Sequence, residues 1–318
     1  MEQTSGSRKS GSNSKTQQSR PEQKKTSAGK RRRRRSRPPI FLILLSILLA
    51  LALLFMVYRC MGLSNTIDEM KAAAAAAAAK TTQSSTLSPS RLEIGGFGYE
   101  NNHRVYRDEN TESTLGIDIS AHQGAIDFDS LLTYEDLDYV ILRCGYRGYG
   151  DGSVCEDEYF SSNIQALSET GLYLGIYFFS QAVTVEEAQE EAELTLSLID
   201  GYQIDLPVYF DWEPVSDEGS RTADIDARTV TDCAKRFCET IEAAGYRAGV
   251  YFSPAVASGW FLPEELDSYD FWLAQYADFP TWPYSCGMWQ YTYEGSVPGI
   301  DTIVDLNIRF TAKKENEA

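Results

Sequence analysis

An α/β barrel of the TIM type, degenerate in its last third, is the fold that residues 114–312 predict. Three observations carry this. Short, nearly unbroken apolar runs alternate with amphipathic stretches, the pattern of parallel strands covered by helices. After Tyr251 the spacing between apolar runs shortens and little helical pattern remains between them. The turn after the first run, GIDISAHQG, has no G-x-G-x-x-G, which an open doubly wound sheet would want at that point.

The elements follow in order. LGIDIS (115–120) and DYVILRC (138–144) are the first two strands. EDEYFSSNIQALSET is helical and leads through Gly171 to the strand GLYLGIYFFS (171–180). TVEEAQEEAELTLSLI is the next helix. Thr184 followed by Glu187 resembles a capping box at its start, and Gly201 follows its end. LPVYFDW (206–212) is a strand, ADIDARTVTDCAKRFCETIEAAG a helix closing near Gly245, and RAGVYFS (247–253) a strand. DFWLAQY, CGMWQYTY and TIVDLNIRF complete about eight strands.

The first 113 residues are organised differently. Residues 1–38 carry 13 basic and 2 acidic side chains, a net +11, whereas the whole chain is −17. Residues 1–39 are polar and basic and read as a disordered cytoplasmic tail rather than a nucleic-acid-binding segment. Ile40 to Tyr58 are 19 residues without a charge, the length of a bilayer core of about 30 Å at about 1.5 Å per residue. This segment is expected to be a transmembrane helix embedded in the lipid bilayer. Arg31 to Arg35 and Arg37 precede it, so the N-terminus is expected inside the cell and the barrel outside. Residues 59–113, with eight consecutive alanines and then TTQSSTLSPS, read as a helical stalk and polar linker; residues 313–318 are a short tail.

Six cysteines show no C-x-x-C pair, which removes support for zinc-ribbon and thioredoxin-type readings. Cys233 and Cys238 lie too far round one helix to pair easily. Cys144 and Cys155 bracket GYRGYGDGSV and could be joined by a disulfide outside the cell. The only histidines are His103 and His122, and neither G-x-S-x-G nor H-E-x-x-H occurs, so serine-hydrolase and zinc-protease signatures are absent.

The chemistry gathers in acids at strand ends. Asp118 ends the first strand, Asp211 and Glu213 the fourth, and Asp305 lies in the last. Residues two apart on a strand face one side, so Asp211 and Glu213 project together. In a closed barrel the first and eighth strands are neighbours, which sets Asp118 beside Asp305 and across from the other two. Four converging carboxylates are costly unless they share protons, hydrogen bonds or a cation. Such a cluster could supply a general acid and a charge stabiliser for glycoside cleavage, hold a hard divalent cation, or merely face water. Tyr177, Phe179, Trp212, Trp272, Tyr276, Trp289 and Tyr291 lie near strand ends, where aromatic faces could carry sugar rings. Gln275, Gln290, Asn307 and His122 are placed to meet polar edges.

GIDISAHQGAIDF, YVILRCGYRGYGDG, GLYLGIYFFS, LPVYFDWE, RAGVYFS, FWLAQY, MWQYTYEGSVPGI and VDLN, in this order, resemble glycoside hydrolase family 25 lysozymes over about residues 114–310. The resemblance implies a flattened barrel of five β/α units plus three further strands. It implies N-acetylmuramidase activity, hydrolysis of the β-1,4 bond from N-acetylmuramic acid to N-acetylglucosamine in peptidoglycan, with no cofactor and no catalytic metal. It marks Glu213 as the general acid. Asp211 would orient the substrate N-acetyl group or act more directly on the anomeric carbon, with Asp118 and Asp305 tuning charge. One departure is His122, where family members often carry an aromatic. Chitinase-type barrels would need acids at positions 206 and 209, which are Leu206 and Tyr209. A barrel that binds wall glycan without cutting it is the alternative reading.

Overall fold

The structure is a computed structural model that describes residues 87–215 and 219–313. The predicted membrane segment 40–58, the basic tail and the alanine-rich part of the stalk lie outside the described residues. Among the described residues, no helix is long and apolar enough to cross a membrane.

Eight strands close into a ring. In ring order they are β3 (Thr111–Ile119), β4 (Leu137–Arg147), β6 (Tyr173–Ser180), β7 (Val208–Trp212), β8 (Ala248–Phe252), β9 (Asp270–Ala274), β10 (Met288–Gly295) and β11 (Val304–Ala312). Neighbours from β3 to β10 run parallel; β11 runs antiparallel to both β10 and β3. A short strand, β5 (Val154–Glu156), pairs with the end of β4 outside the ring. Helices α1 (Phe128–Leu131), α2 (Phe160–Ser168), α3 (Val185–Ile199), α4 (Ala227–Ala243) and α5 (Pro254–Trp260) follow β3, β4, β6, β7 and β8 in turn. This is five β/α units and three further strands. The sequence pattern missed α1 and α5 because each spans two turns or fewer, too short for an apolar period to repeat.

The covering helices start where caps dictate. Thr184 accepts a hydrogen bond from the Glu187 N–H, but the Glu187 carboxylate accepts from Val183 N–H, so the expected box closes one residue upstream. Asp226 caps α4 by accepting from Thr229 N–H. One face of α4, Val230, Cys233, Ala234, Phe237, Cys238 and Ile241, is buried. Phe237 meets the outward rings of Phe178 and Phe210 at 6.4 and 5.4 Å. Burying a phenylalanine in such a layer contributes about 1.5–3 kcal/mol.

Strict alternation separates two cores. Ile117, Val140, Ile176, Val208, Phe210, Val250 and Ile308 point outward into the layer beneath the helices. Tyr139, Ile141, Tyr177, Tyr209, Tyr251, Trp272 and Met288 fill the barrel. The Trp272 ring is packed by Tyr251, Tyr209 and Tyr177 at 4.7, 5.1 and 5.9 Å. Interior space for these tyrosines comes from glycine. A Cβ on Gly116 would lie 2.1 Å from the Tyr139 ring, and one on Gly249 would lie 2.5 Å from the Tyr209 ring.

Residues 87–113, the end of the expected stalk and linker, pack on the barrel. Leu87 is buried, Pro89 bridges to Tyr284, and Ser90 N–H donates to the Pro283 carbonyl. A hairpin of β1 (Phe97–Glu100) and β2 (His103–Tyr106) follows. Its two-residue turn, Asn101–Asn102, has φ of 45° and 67°, the left-handed geometry that asparagine tolerates. Phe97 then packs edge-on against Tyr106 and Trp289. The apolar side chains of a weakly alternating segment were enough to attach it to the barrel.

No disulfide links Cys144 and Cys155; both are free thiols. The register sets Cys155 opposite Tyr146, and the buried Cys144 thiol lies against the Tyr177 carbonyl and Thr195 Oγ1 instead.

Candidate active site

The acids meet at the rim formed by the C-terminal ends of the parallel strands. Asp118 is the penultimate residue of β3 and Asp211 the penultimate residue of β7. Because β11 is reversed, its first turn inward, Asp305, reaches the same rim and is the direct cross-strand partner of Asp118. Glu213 lies one residue beyond β7, on the inward side with Asp211. On an eight-strand ring β11 and β7 are opposite, so the acids stand on two facing walls. Between them is a cleft of about 460 Å³ lined by all four acids together with His122, Arg143, Tyr149, Tyr177, Phe179, Val215, Tyr251, Trp272, Tyr276 and Gln290. A groove of about 530 Å³ between α5 and Thr281–Tyr284 is larger, but it has no convergent acids.

Asp118 is the acid most fully held. Its Oδ2 accepts from Asn307 Nδ2 at 2.7 Å and from Gln290 Nε2 at 3.0 Å. Asn307 is oriented in turn by Trp272 Nε1 at 2.8 Å, and Gln290 by the Tyr251 and Tyr276 hydroxyls at 3.1 and 3.0 Å. Burial raises the Asp118 pKa to about 6, against these amide hydrogen bonds, which favour its charge. Asp305 is raised to about 8, first by burial and then by Asp118. Asp211 is pushed well above the usual range by burial, then by Glu213 and Asp118, and its Oδ1 has no hydrogen-bond partner. Glu213 is exposed at the mouth, yet the surrounding walls and then the Asp118 charge raise it too. Burial thus favours the protonated form at all four acids, and at Asp118 the two amides oppose it.

Arg143 is the one cation among the lining residues, and it opposes the rise at Asp211. Its Nε donates to the buried Asp157 carboxylate at 2.7 Å. Asp157 also accepts from the Ala121 N–H, fixing the turn that presents His122. Glu213 is held through its backbone: the buried Gln181 donates from Nε2 to the Glu213 carbonyl at 2.8 Å, where Pro214 has no N–H to extend the strand ladder.

Four predicted sugar-contacting residues are elsewhere. Trp212 is fully buried beneath the helices against Trp260 and Phe261. Trp289 and Tyr291 point outward from β10 into the layer beneath the hairpin, where Tyr291 Oη accepts from the Arg104 N–H. Gln275 is turned away and bonds Thr281. In each case alternation decides: Asp211, Glu213, Gln290 and Tyr276 face inward, so their chain neighbours cannot. Asn307 does not line the cleft but touches Asp118. Arg143 and Tyr251 were missed although Tyr139, Ile141, Arg143 and Gly249, Tyr251 follow the same period of two; Tyr149 sits in a loop with no periodic signal.

Comparison with known proteins agrees with this geometry. Residues 117–300 match the model of glycosyl hydrolases family 25, more than half of the chain. The uncharacterized protein YegX of Escherichia coli O157:H7 is 29% identical over 208 residues, covering 64% of this chain and 72% of that protein. The modular autolysin LytC of Streptococcus pneumoniae, solved with a synthetic peptidoglycan ligand, is 26% identical with a TM-score of 0.55. That alignment covers 67% of this chain and 52% of the autolysin, so the chain spans about half the autolysin's length. A family 25 glycosyl hydrolase from Bacillus anthracis, 21% identical with a TM-score of 0.53 over 69% of this chain and 96% of that one, shares the fold. With the barrel, the rim of acids and the family match in agreement, the chain belongs to glycosyl hydrolases family 25.

Proposed function

We propose that the protein is an N-acetylmuramidase that hydrolyses the β-1,4 bond from N-acetylmuramic acid to N-acetylglucosamine in peptidoglycan, tethered to the outer face of the cell membrane. The observation that carries the reading is the convergence of four acids in one cleft, their pKa values raised by burial and, at Asp211, Glu213 and Asp305, also by neighbouring acids. Family membership supports glycoside cleavage, and the autolysin's peptidoglycan ligand supports the substrate class. The uncharged segment 40–58 and the arginines before it support the tether, with residues 1–39 inside the cell.

In this reading the Glu213 carboxyl donates its proton to the glycosidic oxygen as the bond from that oxygen to the anomeric carbon breaks. Asp211, at the base of the same wall and held largely protonated by burial, orients the N-acetyl group, and where it has lost its proton it opposes the positive charge that develops on the sugar. Water supplies the hydroxyl that ends on the anomeric carbon, and its remaining proton restores Glu213. Asp305 lies beside Asp118 on the neighbouring strand, and the Asp118 charge favours the protonated form of Glu213.

That last role gives a signed expectation. The Asp118 charge is the second cause of the raised Glu213 pKa. Asp118→Asn removes it, so the alkaline limb of the kcat/KM profile moves to lower pH; an unmoved limb would show that Asp118 does not act on the acid. The function itself is tested with the full-length protein on purified peptidoglycan. New reducing ends, unaffected by chelator, are expected. Sedimentation with the polymer and no new ends at any pH would favour a non-catalytic binding module, and activity lost to chelator would favour a cation site.

A further inference from the structure

We propose that Tyr276 and Tyr293 form a sugar-stacking subsite outside the acid cluster, which holds a glycan strand lying across the barrel mouth from the β4 side to the β9–β10 side. The proposal rests on the muramidase reading for the identity of the strand. Tyr276 and Tyr293 are among the exposed large hydrophobic side chains, at 53% and 48%. Their rings pack together at 5.0 Å with a 59° tilt. The pair is continuous with the cleft. Tyr276 lines it and donates its hydroxyl to Gln290 Oε1, the residue that also holds Asp118. Tyr293 does not line the cleft and extends the aromatic surface away from the acids.

The ring order supplies the direction. The acids stand on β3 and β11 on one wall and at the end of β7 on the other. The segment after β4 and the segment after β9 lie four strands apart, on the perpendicular axis. Tyr276 follows β9. At the opposite end Tyr149 follows β4, is half exposed, lines the cleft, and has its carbonyl fixed by the Arg221 N–H at 3.0 Å. A polymer running between these tyrosines passes between the two acid walls. Each ring offers an apolar face with a polar edge, which suits the apolar face of a pyranose. Tyr173 is as exposed as Tyr293, but it begins β6 at the other end of the barrel.

The test measures binding of peptide-free glycan strands of alternating N-acetylglucosamine and N-acetylmuramic acid, long strands and a tetrasaccharide, to full-length protein carrying Glu213→Gln. Adding Tyr293→Ala should weaken long-strand binding about fivefold, the scale of one lost aromatic contact, with a smaller shift for the tetrasaccharide. Tyr293→Phe, which keeps the ring, should bind as the parent does, and so should Tyr173→Ala. With Glu213 restored, Tyr293→Ala should raise KM for long strands and leave kcat within about twofold. Unchanged long-strand binding, equal loss on both lengths, or no binding at all would overturn the subsite. Binding that falls with Tyr293→Ala while wild-type protein cuts nothing would uphold the subsite and sink the muramidase reading instead.

Discussion

Replacing Glu213 with glutamine should lower kcat on peptidoglycan by about 10²- to 10⁴-fold, the usual contribution of a positioned general acid, with strand binding retained. Glutamine keeps the shape and polarity of the side chain and removes the proton. The backbone anchor survives, because Gln181 holds the Glu213 carbonyl and not its carboxyl. The variant should fold, since the amide keeps the size of the carboxyl and adds no charge to the acid cluster. Its residual activity should also lose the alkaline limb that titration of Glu213 imposes. Wild-type turnover in folded Glu213→Gln protein would remove Glu213 from the mechanism.

The largest stability effect is expected at Arg147, where β4 leaves the barrel. Arg147 and Glu191 are both buried, with Nε donating to Glu191 Oε1 at 2.7 Å. The same guanidinium donates to the Gly152 and Glu187 carbonyls and to Glu190. It thus ties the glycine-rich loop that carries Tyr149 to α3. Arg147→Met strands a buried carboxylate and should cost about 3–5 kcal/mol by denaturant unfolding. Replacing both partners by apolar residues of similar size should recover most of the loss, because the desolvation cost disappears with the second charge. The pH dependence has a definite sign. Burial already raises Glu191 to about 7 against Arg147, so the folded state holds a proton that the unfolded state has released. Stability from this group falls as pH rises from the unfolded value through the folded one, and losing Arg147 steepens that fall. The deficit of Arg147→Met should therefore be greater at pH 8 than at pH 5. An equal deficit at both would mean that Arg147 acts through packing alone.

The barrel was legible because its strands are buried on both faces and read as apolar runs, while amphipathic α3 and α4 are long enough to show a period. The short helices α1 and α5 gave no such signal. The hairpin at residues 97–106 was passed over, although the Asn101–Asn102 pair between two alternating runs marks its turn. At the site, the four acids were found by strand-end position and by the closure that sets Asp118 beside Asp305. Trp212 was misplaced by nearness in sequence: a residue between two inward acids must face outward, and it packs under the helices. The same rule would have recovered Arg143 and Tyr251. The amides on Asp118 come from β10 and β11, and only the fold brings them together.

The muramidase proposed above would cut one bond of the wall polymer in this cleft. The most direct measurement digests peptidoglycan with the full-length protein, reduces the new ends chemically and identifies them. Reduced muramic acid, absent when Glu213→Gln protein is used, is the predicted result. Reduced glucosamine ends, or muramic acid ends released equally by the variant, would contradict it.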